Sequence, residues 1–166
     1  MGVSDDAKPR SAADDEAALA GYAADLAEGI EAAVPGWVER SVAATYEAWA
    51  GEPAPPGVQA RAAAAGQAAR AEVAPHVRTL LATDVDQQRS NPLAILRAAV
   101  HHPAGVLRAA GVPPVERDAE AERLFPHDVY DLGPAAFADV DPGLHEAGIT
   151  WGAAKAHVVK QRRRRG

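Results

Sequence analysis

Alanine occupies 41 positions of this chain, while Val, Leu, Ile and Phe together occupy 31. That ratio constrains the fold more than any motif. Alanine is the strongest helix former and lets helices approach closely, but it offers little apolar surface to remove from water. The large core formers make up 31 of 166 residues, about 19%, just under the ~20% level below which a highly charged chain tends towards disorder. A chain of this length fills one core rather than two. The expectation is therefore an all-α fold, a small irregular bundle of about five to seven helices with disordered termini.

The order of residues supports a helical reading throughout. Residues 1–12 carry Pro9 and, after Val3, no large apolar side chain; they are expected to be disordered because nothing there offsets the entropy of ordering. From Asp14 onwards Leu19, Tyr22, Leu26, Ile30, Ala33 and Val34 fall on one helical face, and Pro35-Gly36 is expected to end that helix. Trp37 to Trp49 then reads as a second helix that forms a hairpin with the first. GEPAPPG at 51–57 holds three Pro and two Gly in seven residues and is a breaker or linker. Residues 58–83 form an alanine-rich helix that Pro75 should kink or split.

Asn91-Pro92 opens a short helix, since Asn caps well and proline suits the first helical position. Further short helices follow from Pro103 and across VERDAEAERLF. Residues 126–143 are dense in turn formers yet include Tyr130, Leu132, Phe137 and Val140, which marks an ordered irregular segment with one buried face. Asp141-Pro142 starts the last helix, lined by Leu144, Ala147, Trp151, Ala154 and Val158. The single helical domain is thus placed at 13–159, followed by a disordered basic tail at 160–166. No strand pattern or fixed-period repeat is evident.

The run ERLFPHDVYDLGPAAFADVDPGLHEAGITWGAAKAHVV at 122–159, together with GVPPVERD at 111–118, resembles the C-terminal part of a family of small proteins from high-GC Gram-positive bacteria. The resemblance brings no activity and no site residues with it. It implies that this portion, more than the alanine-rich front, carries function.

Several classes of function are excluded or weakened by residue content. With no Cys, thiol catalysis, disulfides and thiolate metal sites are ruled out. No leader or membrane-length apolar run is visible, and Met1-Gly2 is followed by Asp6 where an acylation signal wants Ser or Thr. The expected location is the cytoplasm. Phosphate loops, a nucleophile elbow and HExxH are absent from the sequence, and no catalytic residue or cofactor is assigned. His127, Asp128 and His145 are weak metal candidates for a His/Asp hydrolase. His101 and His102 are expected to diverge, being about 100° apart on a helix. DVDPG at 139–143 and DVDQQ at 84–88 resemble calcium-loop openings, but their twelfth positions hold Thr150 and Ile95 where Glu is required.

The formal charge is −6, yet residues 160–166 hold five bases and no acid. Lys160, Arg162, Arg163, Arg164 and Arg165 can therefore contact RNA or a ribosome electrostatically. Trp37, Trp49, Tyr130 and Trp151 are the candidate protein-contact residues, because aromatics dominate binding hot spots. The function expected first is thus non-enzymatic protein interaction or regulation, a homo-oligomer being compatible. The alternatives are RNA association and metal-dependent hydrolysis.

Overall fold

The computed structural model describes residues 10–83 and 91–166. Of the disordered start expected at 1–12, residues 1–9 lie outside the described residues, as does the DVDQQ segment at 84–88, whereas Ser11 and Ala12 are ordered as the cap and first residue of the first helix. Within them the chain is helical, with no strand.

Helix α1 runs from Ala12–Ala50, 39 residues or about 58 Å. Ser11 caps it reciprocally: Asp14 N–H donates to Ser11 Oγ at 3.2 Å, and Ser11 N–H donates to Asp14 Oδ2 at 3.1 Å. At its end Gly51 takes a left-handed conformation, φ 73°, and its N–H donates to Glu47 O at 2.8 Å. Glycine accepts that conformation without Cβ strain.

The expected break at Pro35-Gly36 does not occur, and the hairpin expected there is absent. Ile30, Val34, Trp37, Val38 and Val42 keep one continuous buried face across the proline, and their burial outweighs the one backbone bond that proline removes. The hairpin turn is GEPAPPG instead. It joins α1 to α2, Pro56–Thr83, and Pro56 stands at the first helical position, where its missing N–H costs nothing. α2 likewise continues through Pro75. At Gly66 the two helices approach so closely that an added Cβ would lie 3.0 Å from Pro35 Cα and O.

α3, Pro92–Ala98, is capped by Asn91, whose Oδ1 accepts from Leu93 N–H at 2.9 Å. α4, His101–Ala109, and the short α5, Ala119–Leu124, follow. The irregular stretch then runs through α6, Phe137–Val140, to α7, Leu144–Arg165. Tyr130 is buried and donates its hydroxyl to Val112 O at 2.7 Å. Buried Asp128 accepts from Leu132 and Gly133 N–H, each at 2.7 Å. Phe137 lies against Gly148 so tightly that any Cβ there would collide with its ring, which explains a glycine inside α7.

The expected disordered tail is corrected too, since α7 stays helical to Arg165. Gln161 and Arg162 reach back to Asp15 and Glu16 of α1, and cations suit the negative end of a helix.

One core cluster joins α1, α2, α3 and α7 around Leu26, Ile30, Val73, Leu96 and Leu144. A second joins the far end of α1 to α2 and α4 around Val42, Val58, Leu107 and Tyr130.

Candidate functional site: a groove between three helices

α2 and α7 each pack along α1 without extensive contact with one another. A groove of about 900 Å³ opens between them over the N-terminal half of α1. Its floor follows from the sequence of α1: residues 19, 20, 23, 24 and 27 recur at helical steps of three and four and are all Leu or Ala. Leu81 closes it from α2 and Val158 from α7. Because the floor is mostly methyl groups, the backbone of α1 is reachable by another helix at close distance.

The rim is charged. Glu31 of α1 accepts from Arg78 and lies 3.6 Å from Arg70, both on α2. Across the groove Arg162 Nε donates to Glu16 Oε1 at 3.1 Å. The lining side chains are Ala, Leu, Val, Glu and Arg. They offer apolar surface and ion-pair partners rather than a nucleophile or a His base.

Beside this groove, Asp15 accepts from Gln161 Nε2 at 2.9 Å and sits 3.1 Å from His157 Nε2. The Gln161 hydrogen bond, assisted by His157 and Arg10 and opposed by desolvation, holds the Asp15 carboxyl below the usual carboxylate range. This junction ties the last turns of α7 to the first turn of α1.

The aromatic contact candidates divide by burial. Trp37 and Tyr130 are both 3% exposed and belong to the core, so they present no contact surface. Trp151 is half-buried with Lys155 Nζ 5.2 Å from its ring centroid. Trp49 is 49% exposed and edge-on to Tyr46 at 5.7 Å between centroids. None of the four lines the groove. Lys160, Arg162, Arg163, Arg164 and Arg165 are exposed on α7 and, on consecutive helical positions, encircle its axis rather than line one face.

The weak metal candidates are not gathered. His127 and His145 are exposed, and both carboxylate oxygens of Asp128 are engaged by the backbone of its own loop. His101 and His102 depart from their expected divergence. Both rings turn to one carboxylate, that of Glu72 on α2, a residue that no sequence pattern singles out. The groove was equally illegible, since alanines on every face of α1 conceal which face is left open.

Comparison with family models, curated proteins and solved structures found no match for this chain. Among the described residues, no helix is long and apolar enough to cross a membrane.

Proposed function

We propose that the protein is a non-catalytic interaction module whose groove receives an amphipathic helix of a partner protein. The observation that supports this reading is an apolar trough walled by three helices, α1, α2 and α7, and open among the described residues. A groove with a small-residue floor takes a helix that presents apolar residues at i, i+3, i+4 and i+7. The rim adds charge complementarity, with acids on the occupant suited to Arg70 and Arg78 and a base suited to Glu28. A cytoplasmic location is part of the same proposal.

A photo-crosslinking amino acid in place of Ala24, activated in living cells, tests this. The expected product is a crosslink to an amphipathic segment of a different protein, abolished by Ala20→Glu. Crosslinks to a second copy of this chain would replace the reading with self-association, and absence of any crosslink would overturn it.

A second reading is favoured by one observation, the helical array of exposed bases at the end of α7. RNA or ribosome association through Lys160, Arg162, Arg163, Arg164 and Arg165 predicts that log affinity falls with log salt by about 0.7 for each single-strand phosphate contacted. Deletion of residues 162–166 should abolish such binding. Retention of affinity after deletion, or affinity insensitive to salt, would refute it.

A further inference from the structure

Glu72 on α2 and His101 and His102 at the start of α4 present ligand atoms that all lie within 4.8 Å of one another. His101 Nε2 is 2.9 Å from Glu72 Oε2 and 3.2 Å from Oε1. His102 Nε2 contacts the same Oε2. The two rings are 4.1 Å apart between centroids and tilted by 34°. A single His beside a Glu would be an ordinary surface contact. Here two consecutive imidazoles from one helix converge on one carboxylate of another helix, so three candidate donor atoms face a common point.

The geometry points to a binding site for one divalent transition-metal ion, zinc in the first instance, coordinated by Glu72, His101 and His102 and clasping α4 to α2. In a tetrahedral zinc shell with bonds of about 2.0–2.1 Å, neighbouring ligand atoms stand about 3.3 Å apart. The His101 Nε2 to Glu72 oxygen distances of 2.9 and 3.2 Å lie close to that spacing. Two imidazole nitrogens with one carboxylate oxygen suit zinc, cobalt, nickel or copper and disfavour magnesium and calcium, which take oxygen shells. Three protein ligands leave a position for water, as at open zinc sites.

The local sequence places these ligands. Val100 begins the turn into α4, so His101 and His102 occupy its first two positions and Pro103 the third, where a missing N–H has no intrahelical partner to lose. The N-terminus of that helix also favours a nearby carboxylate such as Glu72. His102 is the better shielded of the pair, its side chain 18% exposed against 60% for His101. The Glu72 carboxyl lies below the usual range, desolvation being outweighed by hydrogen bonds and charge from His102 and His101. The site is separate from the α1–α2–α7 groove, and its existence does not depend on what that groove binds.

The test uses the tag-free full chain, stripped with chelator and titrated with Zn²⁺ by calorimetry and with Co²⁺ by visible absorption. One equivalent of each is expected to bind, with Mg²⁺ and Ca²⁺ unable to compete. Loss of outer-shell partners alone weakens metal sites about 10- to 100-fold, so loss of a ligand in His101→Ala, His102→Ala or Glu72→Gln should weaken binding by about 100-fold or more. His101 and Glu72 are exposed enough for their variants to keep the native circular dichroism, which retains a folded comparison should His102→Ala unfold. Failure of the folded wild-type chain to take up Zn²⁺ at about 1 mM would overturn the inference. So would unchanged uptake in His101→Ala and Glu72→Gln, which would place the ion on other histidines.

Discussion

Two glycines in neighbouring helices make opposite predictions from the same substitution. Gly21 on α1 has nothing within 4 Å of an added Cβ, so Gly21→Ala should stabilise the protein by up to about 1 kcal/mol through helix propensity. A Cβ added at Gly66 would lie 3.0 Å from Pro35 backbone atoms, and backbone cannot rotate aside. Gly66→Ala should therefore force α1 and α2 apart and cost about 1–2 kcal/mol net of its propensity gain. Urea denaturation of both variants checks the pair, and a stabilised Gly66→Ala would contradict the close crossing. Tyr130→Phe leaves the Val112 carbonyl without its donor in a buried position and should cost about 1–2 kcal/mol in the same assay. Composition could predict that Tyr130 belongs to an ordered segment. Its burial against the α2–α4 core, which removes it from any contact surface, depended on where the chain returned.

At the scale of elements, the continuity of α1 is the feature most open to measurement. If Pro35 interrupts nothing, Pro35→Ala restores one backbone donor and should raise stability, by at most ~3 kcal/mol. If a true turn lay there, the replacement would be neutral or harmful. The signal for continuity was present in the sequence, because Ile30, Val34, Trp37, Val38 and Val42 hold their phase across the proline. A turn would have reset that phase. The junction between α7 and α1 responds to acid. Asp15 has its folded-state pKa lowered below the ordinary 3.8, so the stability it contributes is complete above that value and is lost as pH falls through the lower folded value. The advantage of wild type over Asp15→Asn should thus be present at mildly acidic pH, begin to fall near about pH 4 and disappear as pH passes through the lowered Asp15 value. A difference that persisted unchanged under stronger acid would show that Gln161 and His157 do not act on the ionised carboxylate.

For the whole molecule, a core with few large side chains predicts modest stability that ligands can raise substantially. An occupant of the groove at a hundred times its Kd should add about 2.7 kcal/mol, readable as a raised melting temperature that Ala20→Glu removes. What the sequence determined by itself follows from local chemistry. Alanine content and helical spacing set an all-helical chain, the prolines and glycines of 51–57 set its main turn, and Asn91-Pro92 set the entry to α3. Each of these depends on conformational preferences within a few residues, and no distant contact overrode them. Other features were decided by tertiary structure alone. The closeness with which α2 packs on α1 at Pro35 depends on Gly66 and on the packed face that α2 brings there. The last turns of α7 are fixed because Asp15 and Glu16, more than a hundred residues away in sequence, meet Gln161 and Arg162. Glu72 meets His101 and His102 across 29 and 30 residues, and the groove exists because α2 and α7 settle on α1 without covering Ala20 and Ala24. Such convergences arise from how whole helices pack, and alanine, nearly identical on every helical face, leaves almost no trace of that packing in the sequence.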